Sequence, residues 1–420
     1  MSLKSDARGL LDRMVHDIHP SVLVPRHLAV GKNGIIAGGK EFRCEKVYVI
    51  GCGKAGASMA EAVERVLGPD RIEAGLVIAP SAQSSTQKIK ILQSTHPFIS
   101  EKSGQAGKAM LEFIKQIRKG DVVLCLLSGG GSALMARAEE GLRFEEKVEF
   151  LNALILKGVP EIEVNIVREA LSALKGGKLA ARLPGARIVN LLLLDNRGDV
   201  SAIASGPTVA PKEANALAVL EKHHIVAPER IVEILKKSRR PDLSAVRIHN
   251  VLIGSNETAK ASLAAHASSM GARVHMMRGY FCGDVDQTAA ELSARYREWH
   301  KKGKKGLNIV IAGGEVPVES AGRGRGGRNQ HLAALMMQRL RGLSGMAFCA
   351  FATDGRDFME GVRGALFTDQ DIKKAGEGEI ASALTAFTTY DLHSSLNTLI
   401  RGPLTGTNVS DVYLFLFRKG

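Results

Sequence analysis

Short apolar runs recur along the chain. Each is followed by a polar or glycine-rich turn, and then by a segment with apolar residues at helical spacing. The runs predict strands over residues 46–50, 75–79, 122–127, 189–194, 251–254, 308–312 and 346–353. Helical spacing appears over 56–66, 102–118, 134–156, 257–270, 285–300 and 329–341. Strand, turn and helix in repetition predict an α/β fold with parallel sheets. In such sheets ligands bind beyond the carboxyl ends of strands. The basic, proline-containing stretch "KKSRRPDLSAVRIHN" (236–250) predicts a division into domains 1–245 and 246–420. There is no internal repeat and no low-complexity segment.

The turns after strands are the least ordinary parts of the chain. "GCGKAG" (51–56) formally matches GxGxxG, with Gly53 at the turn. A dinucleotide site needs an acid closing the next strand, and that strand runs into Pro80 and Ser81. Lys54 opposes the dipole of the helix it opens, a cost that makes sense if it neutralises a phosphate. "SGGGSALM" (128–135) repeats the geometry: Gly129, Gly130 and Gly131 present successive N–H groups to an anion, and Ser128 and Ser132 add hydroxyls. Neither a GxSxG elbow nor a GxxxxGK[ST] loop is present.

Further along, "NIVREALSALKGGKLA" (165–180) places Asn165, Arg168, Ser172 and Lys175 on one face of an expected helix stopped by Gly176 and Gly177. The bland alternative is a solvated face. The run 191–194 leads to Asp195 and Asp199, then to Ser205 and Gly206. Acids at a strand's end suit Mg²⁺ or a substrate hydroxyl, or simply cap turns. Glu315 follows another strand, and Arg323, Arg325 and Arg328 stand among glycines ahead of Asn329. Arginines on such a loop are suited to clamping phosphate oxygens. Asp354 and Asp357 follow the run 346–353, and a polar turn from Thr405 to Asn408 precedes a last strand.

Composition narrows the classes. The 420 residues are 45% hydrophobic and 24% charged, those of a globular protein large enough for two domains. No apolar run approaches the roughly 20 residues of a bilayer span, and the charged start lacks a signal-peptide core, so a cytoplasmic location is expected. Five scattered cysteines without a CxxC pair, and histidines without ligand spacing, indicate neither disulfides nor a zinc site. A net charge of +14 favours anionic partners. With only 5% aromatics, and "KKGKKG" (301–306) reading as a solvated turn, nucleic acid is not expected. Cationic loops and acids after strands are together the set that phosphoryl transfer requires.

In their order, "GCGKAG", "LLSGGGSAL", "LSALKGGKLA", "IASGPT", "GGE…GRGRGGRNQ", "ATDGRD" and "TGTNVSD" resemble the motifs of the MOFRL-type, or class II, glycerate 2-kinases, from about residue 5 to the C-terminus. The resemblance implies ATP-dependent conversion of D-glycerate to 2-phosphoglycerate, with Mg²⁺. It implies a larger Rossmann-like N-terminal domain with a parallel sheet, a smaller α/β C-terminal domain of MOFRL type, and an active site in the cleft between them. D-glycerate and ATP are the expected partners, with a second copy of the chain as the candidate macromolecular partner. No membrane partner is expected.

By that resemblance Lys54 matches the lysine that contacts substrate or transferred phosphate, and Arg325 or Arg328 matches the essential arginine. Asp195, Asp199, Glu315, Asp354 and Asp357 match acids that hold Mg²⁺ or orient the hydroxyl. Of these, Lys54, Arg325, Asp195 and Asp354 are the catalytic candidates. Asp195, Asp199, Glu315 and Asp357 are the metal candidates. Gly53, residues 128–132, Asn165, Arg168, Lys175, Ser205, Gly206, Arg323, Arg328, Asn329 and Asn408 are the binding candidates. The chain departs from the family pattern where HPxPD reads "HPFIS", SDVxGDD reads "LDNRGDV", RNQE reads "RNQH", NDSY reads "FTTY" and DGxDGP reads "DGRDFM". The affected positions include Ser100, Val200, His331 and Thr388. A phosphosugar isomerase of SIS type would explain only the first 135 residues. A non-catalytic sugar-acid or nucleotide sensor, and an NAD(P)-dependent hydroxypyruvate reductase, are the other readings.

Overall fold

The computed structural model describes residues 2–197, 200–209, 215–318 and 324–420. The chain forms two compact units, Pro20–Ile253 and the first 19 residues together with Gly254–Gly420.

The unit Pro20–Ile253 is built on a six-stranded sheet. Its order is Ile89–Gln93, Ile72–Ala79, Val47–Cys52, Val122–Ser128, Arg187–Leu193, Arg247–Gly254. The pairings from Ile89–Gln93 through to Arg187–Leu193 are all parallel. Val122–Ser128 is buried at every position, as a strand covered on both faces must be, which explains its unbroken apolar run. The chain builds outward from Val47–Cys52 to one side, then returns to lay Val122–Ser128 on the other. The sheet order therefore reverses between these two strands, and their carboxyl ends form the switch point where ligands bind. Four helices, Phe144–Leu156, Glu161–Ala170, Ala216–Lys222 and Glu229–Lys237, share a separate apolar cluster around Leu154, Val164 and Val167.

Several expectations change here. Arg247–Gly254 is the last strand of this sheet, tied to its neighbour by Asn190 Nδ2 donating to Asn250 Oδ1 at 2.7 Å. The units accordingly divide at Ile253/Gly254 rather than at 245/246. The expected helix over 165–180 ends at Ala170, and the segment 134–156 is helical only over Gly131–Leu134 and Phe144–Leu156. A three-stranded antiparallel sheet, Leu28–Gly31, Gly34–Ala37 and Lys40–Arg43, escaped the periodicity because each strand is four residues long.

The other unit carries a six-stranded sheet in the order Arg273–Met276, Gly306–Gly314, Asp411–Lys419, Met346–Ala352, Val362–Thr368, Leu399–Arg401. Its first pair is parallel, and the remaining pairings are antiparallel. The expectation of parallel sheets fails in this unit because the C-terminal strand inserts between Gly306–Gly314 and Met346–Ala352, opposed to both. Apolar periodicity reports burial and not strand direction. The N-terminal helix Leu3–Asp17 joins the same unit: Ser262 Oγ and His266 Nε2 each lie 2.8 Å from Asp17 Oδ2.

Tyr296 anchors the core of this second unit. Its ring stacks on Phe415 with centroids 4.8 Å apart. Its hydroxyl is fully buried and meets no acceptor among the described residues, and burial drives its pKa upward. A buried donor without a partner is a net cost. Tyr296→Phe is therefore expected to stabilise this unit by about 1 kcal/mol, measured as a higher urea midpoint. A lower midpoint would contradict this account of the core.

Candidate active site

At the switch point the two glycine loops are laced together. Lys54 N–H donates to Gly129 O at 2.8 Å, and Ala55 N–H donates to Ser128 Oγ at 3.1 Å. Gly53 N–H reaches Ile78 O at 3.1 Å, and Gly56 N–H reaches Gly53 O at 3.0 Å. All four amides of the first loop are thus satisfied within the protein. Gly53 has φ +147°, and a Cβ there would run into Ser128 Oγ and stand 2.6 Å from its carbonyl oxygen. This glycine serves loop-to-loop contact. A pyrophosphate would find no open amides at residues 53–56, which weakens the physical basis of the dinucleotide reading.

The second loop is the reverse. Among the described residues, the N–H groups of Gly130, Gly131 and Ser132 meet no acceptor, while the carbonyl of Gly130 receives bonds from Ala133 and Leu134. Gly130 sits at φ +80°, and a Cβ on it would stand 2.8 Å from the His96 ring and 3.0 Å from Lys54 Cγ. Lys54 and His96 therefore flank a concave run of unpaired amides, an arrangement that binds anions.

A third loop completes the set. Ser132 Oγ and Ser205 Oγ are 2.7 Å apart, and Ser205 Oγ donates to Asn165 Oδ1 at 3.1 Å. Arg168 Nη1 donates to the same oxygen. Asn165 and Arg168 lie on the helix Glu161–Ala170, as the spacing predicts, and burial lowers the pKa of Arg168. Ala204, Ser205 and Gly206 have φ values of +52°, +56° and +56°. For Ala204 and Ser205 this costs on the order of 1 kcal/mol each, and such strain concentrates at functional sites.

Lys175 is not on a helix face and does not reach outward. It is fully buried, and its Nζ donates to Gly131 O at 3.2 Å and Ala204 O at 3.0 Å. Asp195 is half-buried, just past the end of Arg187–Leu193. Asp199 and Arg323 lie outside the described residues.

The second unit holds its own polar centre. Arg328 opens the helix Arg328–Arg339 and grips Asp411 in a bidentate pair, Nε to Oδ2 at 2.6 Å and Nη2 to Oδ1 at 2.8 Å. Its Nη1 lies 3.0 Å from Glu315 Oε1. Burial lifts the Asp411 carboxyl above the usual range, and Arg328 pulls against it. Asp357 accepts the N–H groups of Asn329 and Gln330, each at 2.9 Å, and so caps the same helix. Asp354 Oδ1 accepts the Arg356 N–H at 2.9 Å. Asn329 and Asn408 are buried, and among the described residues Asn329 Oδ1 meets no donor. Arg325 is exposed, paired with Asp391, with its guanidinium carbon 5.1 Å from the centre of the Tyr390 ring.

Glu315 is engaged by Arg328, and Asp357 by a helix end. Among the described residues no group of three His, Cys, Asp or Glu side chains could hold a metal ion. Mg²⁺ generally keeps one or two carboxylates and rides on substrate phosphates.

Two residues of these centres were not singled out as candidates. Asp411 was signalled by an acid opening an otherwise apolar strand. His96 had no signal beyond the residual HP pair. Some of the departures from the family pattern have structural explanations. Ser100 still begins the helix Glu101–Phe113, with its N–H donating to Ser103 Oγ at 3.1 Å. His331 stacks on Phe387 at 5.3 Å.

Residues 6–236 match a domain of unknown function, DUF4147, and residues 308–411 match the MOFRL family. The chain belongs to the DUF4147–MOFRL family of glycerate kinases. It is 30% identical to a glycerate 2-kinase of Pyrococcus horikoshii, over 99% of this chain and 97% of that one. It is 32% identical to a D-glycerate 2-kinase of Thermotoga maritima, over 90% and 92%. The crystal structure of Thermotoga maritima glycerate kinase superposes with a TM-score of 0.83 at 29% identity, covering 99% of both chains.

Removing one partner of a buried pair leaves a bare charge behind. Arg328→Ala is expected to destabilise the second unit by about 3 kcal/mol, and adding Asp411→Asn should recover part of that loss in denaturant titrations. Equal stabilities of wild type and Arg328→Ala would show that the pair contributes nothing.

Proposed function

We propose that this protein is a glycerate 2-kinase, transferring the γ-phosphoryl group of ATP to the 2-hydroxyl of D-glycerate. The observation that carries the reading is the run of unpaired N–H groups at Gly130, Gly131 and Ser132, at the sheet's switch point and flanked by Lys54. Preorganised donors of this kind stabilise the charge that spreads over the phosphoryl oxygens in the transition state. Lys54 adds a positive charge beside them. Ser132 and Ser205 offer hydroxyls from adjoining loops.

Asp195, past a strand's carboxyl end, is assigned to orient the glycerate hydroxyl and take its proton as the O–P bond forms and ADP departs. Asp195, or Glu315 on leaving Arg328, would be the carboxylate that holds Mg²⁺, which would screen the phosphate charge of ATP. Arg325 and Asp354 are assigned to the reaction by the family pattern, with Arg325 leaving Asp391 to meet an anionic group. The satisfied amides of residues 53–56 weigh against a nicotinamide-dependent reductase.

The test is incubation with ATP, Mg²⁺ and D-glycerate, with enolase acting on the product directly. ADP release with enolase conversion is expected. ADP release without conversion would point to the 3-hydroxyl, and no ADP release from folded protein would favour a sensor. Lys54→Ala should lower kcat by about a hundredfold or more without changing the melting temperature. Near wild-type turnover would remove Lys54 from the mechanism.

A further inference from the structure

Three loops converge at the switch point, and one buried side chain joins two of them from behind. Lys175 lies in the turn between the helix Glu161–Ala170 and the short helix Lys178–Ala181. Its side chain is fully buried, and its amine donates to the carbonyls of Gly131 and Ala204. The neighbouring backbone makes the same connection. Gly176 N–H donates to Ser205 O at 2.9 Å, Gly177 N–H to Gly206 O at 2.7 Å, and Leu179 N–H to Pro207 O at 3.1 Å. The turn thus fastens the loop of left-handed residues, and Lys175 Nζ extends the fastening to the glycine loop, which Ser132 Oγ also joins to Ser205 Oγ.

We propose that Lys175 is a positioning residue for phosphoryl transfer: its ammonium, bonded to Gly131 O and Ala204 O, holds the amides of residues 130–132 and the Ser205 hydroxyl in one register. The inference rests on the reading of this site as a phosphate site. Bonding the carbonyl of Gly131 from behind fixes the orientation of the adjoining peptide, whose Ser132 N–H is unpaired. The positive charge also lies behind donors that face an anion, where water does not screen it.

The groups facing the amine come from three elements. Cys52 lies on Val47–Cys52, Arg168 and Glu169 on Glu161–Ala170, and Lys147 on Phe144–Leu156. Burial, the largest influence, brings the Lys175 pKa down from 10.5 to about 8; Cys52 and Glu169 oppose the shift and Arg168 adds to it. The two consequences of this shift have opposite signs. Between pH 8 and 10.5 the unfolded chain holds this proton and the native chain has lost it, so the lysine's effect on stability becomes more favourable as pH rises. The charged form that braces the loops disappears over the same window, so turnover should fall. A residue that only packs the fold would not produce both trends.

The experiment compares wild type with Lys175→Met and Lys175→Arg in kcat, in KM for each substrate, and in melting temperature against pH. Expected are a kcat lower by about a hundredfold in folded Lys175→Met, a KM for D-glycerate within about twofold, and partial recovery in Lys175→Arg. Wild-type kcat should fall through about pH 8 while its stability gains on that of Lys175→Met. Unchanged kcat in the folded variant, with only a lower melting temperature, would overturn the proposal. If Lys175→Met does not fold, the wild-type profile decides: a kcat that stays flat from about pH 7 to 9.5 would overturn it equally.

Absence of turnover in the wild type would defeat the kinase reading separately. Titration calorimetry with inorganic pyrophosphate would then test Lys175. A tenfold weaker affinity in the variant supports the brace, and equal affinities overturn it.

Discussion

The site depends on one contact, the closure of the loop after Val47–Cys52 onto the loop after Val122–Ser128. Ala55 N–H on Ser128 Oγ and Lys54 N–H on Gly129 O lock the two together. The closure satisfies the first loop and leaves the second with its donors open. It also sets Lys54 and His96 around Gly130, where a side chain larger than hydrogen would collide with both. Two glycine-rich loops with the same sequence character thus take opposite roles, one as a buttress and one as an anion cradle. The division follows from parallel strands at a reversal of sheet order, where carboxyl-end loops are neighbours.

The second unit solves a different problem. Its central C-terminal strand begins with a fully buried aspartate, and burial of a carboxylate is tolerable only with a partner of matched geometry. Arg328 supplies that match through two parallel hydrogen bonds, and Glu315 takes its remaining face. Asp357 caps the helix that Arg328 opens. Arg328, Asp411 and Glu315 are therefore engaged with one another. Those that serve an incoming anion must exchange a protein partner for it, as exposed Arg325 can do by leaving Asp391.

Much of this was legible in the sequence, for physical reasons. Buried parallel strands are unbroken apolar runs, so the strands at 47–52, 72–79, 122–128 and 187–193 were legible, while the more exposed edge strand Ile89–Gln93 was not. The motif order pointed to the family, but nothing local joined Ser132 to Asn165, which meet through Ser205. The rest depended on distance in the chain. Nothing local says that Asp411–Lys419 inserts between two earlier strands, or that Arg247–Gly254 completes the first sheet. Lys175 looked like a ligand because helical spacing put it beside Arg168. The helix ends at Ala170, and the lysine turns inward to two carbonyls instead. GxGxxG promised free amides, but Ser128 and Gly129, far along the chain, take those of Ala55 and Lys54, and Ile78 and Gly53 take the other two.

The claim that the second glycine loop holds phosphate oxygens is most directly tested by amide hydrogen exchange, with and without ATP and D-glycerate. Amides 130–132 should exchange quickly in the free protein, because they have no acceptor, and slow markedly when ligands bind. Amides 53–56 should be slow throughout. Protection gained at 53–56, with none at 130–132, would contradict the account.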